Sequence, residues 1–155
     1  MNIVLVEPEI PPNTGNIARL CAATRSVLHL VEPLGFDLDD RQLQRAGMDY
    51  WQFVTWKRWR DWPTLEASIP SHSRVWFIEQ GGSRRYSDAV FNPDDYLVFG
   101  RETTGLPREL LGQHRDSWLY LPMPNPEARS LNLSNCAAIV LYEALRQTGF
   151  GGRAR

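Results

Sequence analysis

The sequence predicts an α/β protein built on a mostly parallel sheet flanked by helices. Short apolar runs, such as Asn2–Val6 and Tyr96–Phe99, have the composition of strands that are covered on both faces. These runs alternate with segments of helical periodicity, which is typical of parallel β-α-β units. A chain of 155 residues with 43% hydrophobic content supports one core, so we expect a single domain over residues 1–155.

The predicted elements follow one another in a regular order. Strands are expected at 2–6, 28–31, 52–56, 74–79, 96–99 and 118–121. Helices are expected at 13–24 with Asn13 as cap, 39–46, 61–69 with Asp61 as cap, from Leu106-Pro107 toward His114, and after Ser130, which is a good N-cap. Before the first helix, Pro8, Pro11 and Pro12 predict a loop.

The first predicted helix carries two polar residues beside its apolar stripe. Asn16 and Arg19 are three residues apart and therefore share one face, where they can point at a common ligand. The pattern alone fits a solvated surface arginine as well, because most helical arginines are exposed.

The last helix is apolar almost all round between Cys136 and Leu145, which predicts that it is covered on two sides. In a chain of this length the second cover is expected to be another copy of the chain, as a homodimer. Just before this helix, Pro122, Pro124 and Pro126 predict an open loop whose main-chain groups are free for a ligand.

Three late strands end in loops marked by glycine or proline, after Ile78, at Gly100 and after Leu121. The carboxyl ends of parallel strands lie along one edge of the sheet, where open α/β proteins bind ligands. Neither a G-x-G-x-x-G sequence after the first strand nor a G-x-x-x-x-G-K-[ST] sequence is present, which disfavours a dinucleotide-binding fold and a P-loop enzyme.

Charge and composition exclude several classes of function. A net charge of −1 and a pI near 6.3 argue against nucleic-acid binding through the overall field, so any such contact must come from a local patch. No long apolar segment is present, which predicts a cytoplasmic protein without a membrane contact. Cys21 and Cys136 are expected to be buried free thiols, and the scattered histidines predict no metal site.

Two groups of basic residues are candidates for such a patch. Lys57, Arg58 and Arg60 alternate with tryptophans, which suits RNA phosphate contact and base stacking but fits a solvated turn equally well. Arg84-Arg85 follows the Ile78 strand and is the better candidate, because it lies beside the presumed site.

Three motifs together resemble those of the SpoU branch of the SPOUT methyltransferases. They are N-T-G-N-I-A-R (Asn13–Arg19), G-R-E-T-T-G-L-P (Gly100–Pro107) and L-P-M-P-N-P-E-A-R-S-L-N-L-S-N (Leu121–Asn135). The opening I-V-L-V-E-P-E-I-P-P-N-T-G-N, E-P-L-G-F (Glu32–Phe36) and R-A-G-M-D-Y (Arg45–Tyr50) are similar to the small tRNA ribose methyltransferases of this branch. The resemblance covers nearly the whole chain, and three motifs in order are specific.

The resemblance implies an α/β fold with a C-terminal trefoil knot, a homodimer, and S-adenosyl-L-methionine as cofactor. Carried over by position, the cofactor contacts Ile78, Gly100, Leu121 and Ser130, and a side chain at Gly100 would block its approach. Of the remaining matched residues, Glu102 and Asn132 shape the pocket, Arg19 is catalytic, and Tyr142 lies near the RNA and the partner helix, although core packing explains Tyr142 equally well.

The function that follows from the resemblance is methyl transfer to the ribose 2′-hydroxyl of the wobble nucleotide, cytidine or modified uridine, in the anticodon stem-loop of tRNA. The alternatives are a related enzyme for another RNA position and a non-catalytic α/β binding module. No histidine or carboxylate pair is placed to act as base, so Arg19 is either a base or a cation that positions the ribose and stabilises the developing alkoxide.

Overall fold

The computed structural model describes residues 1–38, 41 and 50–151, which form one parallel sheet with helices on both faces. Its strands are β1 (Asn2–Val6), β2 (Val27–Val31), β3 (Thr55–Trp59), β4 (Val75–Ile78), β5 (Arg84–Arg85), β6 (Tyr96–Phe99) and β7 (Trp118–Tyr120). The helices are α1 (Pro11–Thr24), α2 (Trp62–Glu66), α3 (Arg108–Gln113) and α4 (Leu133–Gln147). Every strand pair in the order β3-β2-β1-β6-β4-β7-β5 is parallel, which confirms the predicted fold class.

The sheet separates two apolar layers, because successive side chains of a strand point to opposite faces. In β1, Ile3 and Leu5 pack with α1 and α4, while Val4 and Val6 pack with α2 and α3. All four side chains are essentially inaccessible to solvent. Continuous apolar runs therefore did indicate strands covered on both faces.

The bounds of the third strand and of α2 differ from the predicted ones. The third strand begins at Thr55 and not at 52, because its register with β2 pairs Thr55 with Val27 and Trp59 with Val31. Asp61 caps α2 as expected by accepting a hydrogen bond from Thr64 N, but the helix ends at Glu66. The helix expected at 39–46 lies almost wholly outside the described residues.

The N-terminus of α1 corrects the prediction that Asn13 caps this helix. Helix α1 begins at Pro11, with Ile10 at the N-cap position and no side-chain cap from that residue. Proline is tolerated in the first helical turn because the amide hydrogen that it lacks has no partner there. Asn13 lies inside the helix, and its side chain is 5% exposed.

The N-cap residue of α4 also differs from the prediction. Helix α4 begins at Leu133 and is capped by Asn132, whose side chain accepts a hydrogen bond from Ser134 N, so Ser130 is not the cap. One side of α4 is buried in the core, while the other exposes Ile139 at 39% and Tyr142 at 50%. In a single chain the helix therefore does have a solvent face, whose middle is formed by the apolar Ile139 and the ring of Tyr142, between the polar Asn135 and Arg146.

A buried histidine joins three adjacent parts of the sheet. Trp59 Nε1 donates a hydrogen bond of 3.0 Å to His29 Nδ1, which must therefore carry no proton, so that Nε2 donates to Asn2 Oδ1 at 3.1 Å. Burial, together with the charge of Lys57, lowers the pKa of His29 to about 4. Protonation of Nδ1 would set two hydrogen-bond donors against each other.

We predict that this histidine makes the fold sensitive to acid. The unfolded chain binds a proton near pH 6.5 and the folded chain only near pH 4, so stability should fall as pH drops through that window, by about 3 kcal/mol in total. His29→Gln can keep both hydrogen bonds with its amide and should lose this dependence. Urea unfolding at several pH values measures the difference, and parallel curves for the two proteins would contradict the assignment.

Candidate functional site

The carboxyl ends of β4, β6 and β7 open onto a cavity of about 620 Å³. Its walls come from the loops that follow these strands and from the start of α4. Six of the nine predicted site residues line it, namely Ile78, Gly100, Glu102, Leu121, Ser130 and Asn132. The structure thus brings together chain segments that are far apart in the sequence, around Ile78, Gly100 and Leu121.

The loop that follows β6 can close only because residue 100 is a glycine. A Cβ at this position would lie 2.2 Å from Gly105 C and 2.3 Å from Leu106 N. The loop folds back because Arg101 and Gly105 exchange two backbone hydrogen bonds of 3.1 and 3.0 Å. A side chain here would therefore obstruct the loop that forms the cavity wall, and the expectation that it would also block the cofactor stays a prediction.

Glu102 accepts hydrogen bonds from the backbone just before α1. Its Oε2 accepts a hydrogen bond from Glu9 N at 2.8 Å, and its Oε1 accepts from Ile10 N at 3.2 Å and Asn13 Nδ2 at 3.1 Å. A carboxylate is favourable at a helix N-terminus because it faces free amide hydrogens and the positive end of the helix dipole. This explains how α1 begins at two prolines without a local cap.

Asn13 connects this carboxylate to α4. Because a carboxylate only accepts, the Asn13 amide nitrogen must face Glu102, and Asn13 Oδ1 accepts from Asn132 Nδ2 at 2.9 Å. Asn132 Oδ1 in turn accepts from Ser134 N at 2.9 Å. We call Glu102, Asn13 and Asn132 the amide bridge. Sequence reasoning missed the role of Asn13, and its place in the N-T-G-N motif was the available signal.

Further contacts fasten the loop after β6 to the loop after β1. Glu9 Oε2 accepts hydrogen bonds from Thr103 Oγ1 at 2.7 Å and Thr103 N at 3.2 Å. Arg101 forms an ion pair with Glu7. The two motif-bearing loops therefore hold each other in place, and both support the same cavity wall.

The remaining three predicted site residues do not line the cavity. Asn16 and Arg19 are exposed on α1, as the helical spacing predicted, and the Arg19 guanidinium carbon lies 4.8 Å from the centre of the Tyr50 ring. Tyr142 is exposed on α4, where its ring meets Phe150 edge-on at 6.1 Å. Tyr50 was not singled out by sequence reasoning as a neighbour of Arg19.

The cavity is built to bind rather than to supply a nucleophile. Its lining combines apolar side chains with polar loop backbone, and the carboxylates of Glu79 and Glu102 are occupied by backbone amides. Burial raises the pKa of the Cys136 thiol, which keeps that lining residue neutral. Cys21 and Cys136 are both free.

Two absences hold for the residues that the structure describes. No group of three or more histidine, cysteine, aspartate or glutamate side chains is placed to hold a metal ion. Among the same residues, no helix has the length and apolarity needed to cross a lipid bilayer.

Comparison with known proteins places this geometry in a family. The model of the SpoU rRNA Methylase family matches residues 1–142. A tRNA (cytidine(34)-2'-O)-methyltransferase of Burkholderia cenocepacia (strain HI2424) is 50% identical over 155 residues, which cover 99% of each chain.

Solved structures share the fold. One concerns the 2-OH methylation of C/U34 on tRNA, with 42% identity, a TM-score of 0.90 and 94% coverage of both chains. Another, the SpoU methyltransferase AviRb from Streptomyces viridochromogenes in complex with AdoMet, has a TM-score of 0.82 and covers 98% of this chain and 61% of its own, and its 23% identity shows the fold alone. The three motifs, the parallel sheet, the family match over most of the chain and the full-length relative agree, and the chain belongs to the SpoU methylase family of methyltransferases.

Proposed function

We propose that the protein transfers a methyl group from S-adenosyl-L-methionine to the ribose 2′-hydroxyl of nucleotide 34 in the anticodon stem-loop of tRNA, in the cytoplasm. The observation that carries the proposal is the cavity in which six predicted site residues converge at the ends of β4, β6 and β7. The full-length relative that is 50% identical supports the same reaction.

The cavity suits this cofactor in size and chemistry. Its 620 Å³ lies within the range of about 300–1,000 Å³ that is usual for small-molecule sites. Ile78 and Leu121 offer apolar contact to a ring, and the loop backbone offers donors and acceptors for polar groups. When bound, the cofactor supplies an activated methyl group.

A backbone path that forms a trefoil knot at the C-terminal end is also proposed. The amide bridge holds the segment before α4 against the loop after β6, and β7 lies between β4 and β5 in the sheet. These contacts support a chain whose last segment passes through an earlier loop, which is rare among folds.

A homodimer is proposed because the open side of α4 exposes apolar side chains in its middle. Ile139 and Tyr142 are exposed on this helix, and Phe150 beyond its end is 44% exposed. Burial of such a face against a second copy removes apolar surface from water. The proposal also accounts for Arg19, which lies on α1 outside the cavity of its own chain and would serve the cavity of the partner.

Arg19 is proposed to act on the ribose and not on the cofactor. A guanidinium stays protonated, so it can hold a phosphate oxygen and stabilise the negative charge that develops on the 2′-oxygen. The Tyr50 ring beneath it restricts the directions in which the guanidinium can point. Orientation of this kind supplies roughly 7–11 kcal/mol in well-aligned reactions.

Cofactor binding is testable with a substitution that fills the cavity. For the wild type, S-adenosyl-L-methionine at about 100 times its dissociation constant should add roughly 2.7 kcal/mol to stability. Ser130→Trp should abolish the gain, because Ser130 is exposed, lines the cavity and makes no hydrogen bond in the described structure, so that folding is spared. Thermal melting measures the shift.

The matched control is Ser71→Trp, an exposed serine in the turn before β4, at the opposite end of that strand. It should melt and shift as the wild type does. A wild-type protein that gains no stability, or a Ser130→Trp variant that gains as much as the control, would contradict the cofactor assignment.

The role of Arg19 is testable in single-turnover assays. Arg19→Ala should keep the cofactor shift and lose most methyl transfer, since an interaction made in the transition state lowers kcat and kcat/KM together. Substantial activity in Arg19→Lys would favour a positioning cation over a need for the guanidinium fork.

The control for this test is Arg25→Asn, which removes an exposed charge just beyond the same helix, at a φ of 55° that asparagine tolerates. Nuclease digestion and mass spectrometry locate the added methyl. Wild-type turnover by Arg19→Ala would refute the role of Arg19, and a methyl on a base or on another nucleotide would refute the proposed reaction.

A further inference from the structure

A second cavity, of about 790 Å³, lies on the sheet face that α3 covers. Glu79, Gln80 and Thr104 line both this cavity and the one described above, so the two are neighbours across a shared wall. Trp118 and Leu111 contribute apolar surface to the second cavity.

Two arginines in this lining have side chains without a partner among the described residues. Arg108 and Arg115 are exposed, and within residues 1–38, 41 and 50–151 neither guanidinium group forms an ion pair or a hydrogen bond. Arg85 in β5 is also exposed and without such a partner in the same part of the chain. The neighbouring Arg84 places its guanidinium carbon 5.9 Å from the ring of Trp76, which belongs to the apolar layer of α1 and α4. Successive side chains of a strand point to opposite faces, so Arg85 points to the face that α3 covers.

The charge in this region is positive on balance. Against the three arginines stand the carboxylates of Asp116 and Glu79, which both line the cavity, so one positive charge remains. The Glu79 carboxylate is occupied, because it accepts hydrogen bonds from Leu106 N at 2.9 Å and Gln80 N at 2.8 Å. A chain with a net charge of −1 that binds RNA must use a local patch of this kind.

At the opposite edge of the sheet, the two arginines of the basic cluster Lys57, Arg58 and Arg60 are paired with carboxylates. Arg58 pairs with Glu32, and Arg60 pairs with Asp61. Of that cluster, only Lys57 has no ion pair among the described residues. Unpaired arginines therefore favour the edge formed by β5 and β7 for contact with an anionic partner.

We propose that Arg85, Arg108 and Arg115 bind backbone phosphates of the RNA substrate while its reacting ribose enters the neighbouring cavity. The inference rests on the proposed function and adds where the RNA is held. Guanidinium groups suit phosphate because their planar donors bind two oxygens at once. A shared wall between the cavities lets one RNA strand reach both.

The test measures tRNA binding over a range of salt concentrations. Arg85→Gln, Arg108→Gln and Arg115→Gln should each weaken binding by a similar factor for different tRNAs and reduce the slope of log K against log salt by about 0.7–0.9. Asp116→Asn should tighten binding, because it removes a negative charge from the same lining. Arg25→Asn, at the amino end of β2, is the control that removes a charge elsewhere.

Three readouts separate this inference from the proposed function. The stability gained from S-adenosyl-L-methionine should be unchanged in all three arginine variants. Single-turnover transfer at saturating tRNA should stay near the wild-type rate. The loss of activity should appear as a higher KM for tRNA. If the arginine variants bind tRNA and transfer the methyl group as the wild type does, with unchanged salt slopes, the inference is overturned and the proposed function stands.

Other outcomes also decide. An equal loss in Arg25→Asn would show a general effect of net charge and overturn the inference. If the arginine variants lose binding of inorganic phosphate but keep the wild-type salt slope for tRNA, the cavity binds a small anion instead. That result would also overturn the inference. A wild-type protein that binds no tRNA would remove the proposed function together with this inference.

Discussion

The amide of Asn13 carries the hydrogen bonds on which the geometry of the site depends. It donates to the carboxylate of Glu102 and accepts from Asn132, so one buried side chain joins the start of α1, the loop after β6 and the start of α4. Loss of either partner would leave a buried polar group unpaired, at a cost of about 1–3 kcal/mol. Because these three segments form much of the cavity wall, the same hydrogen bonds that complete the fold also set the shape of the site.

This arrangement explains why motif residues far apart in the chain belong together. Glu102 holds the backbone amides of Glu9 and Ile10 just before α1, and Asn132 caps α4, so both act on the backbone where a helix begins. Gly100 allows its loop to close against Gly105. The motif residues at the cavity thus build and hold its wall, whereas Arg19 stands outside it on the exposed face of α1.

Much of the fold follows from local sequence, and the differences have identifiable causes. Apolar runs such as Asn2–Val6 and Tyr96–Phe99 were placed correctly because both faces of these strands are buried, and the carboxyl ends of the late strands did mark the cavity. The cap at Asn13 was wrong because α1 begins two residues earlier and the Asn13 side chain is held by the distant Glu102 and Asn132. The cap at Ser130 was wrong because α4 begins only at Leu133, where Asn132 is the adjacent cap. The burial of one side of α4 and the contact of Arg19 with Tyr50 are tertiary facts that periodicity does not specify.

The central claim is that each site combines the cavity of one protomer with Arg19 of the other, and mixing two inactive variants tests it most directly. Arg19→Ala keeps the cavity, and Ser130→Trp keeps the arginine. After joint unfolding and refolding in equal amounts, about half of the dimers should be mixed, each with one intact site, so methyl transfer should recover to about a quarter of the wild-type rate. No recovery, with mixed dimers demonstrated by mass spectrometry, would contradict the claim and place both residues in the same protomer's site.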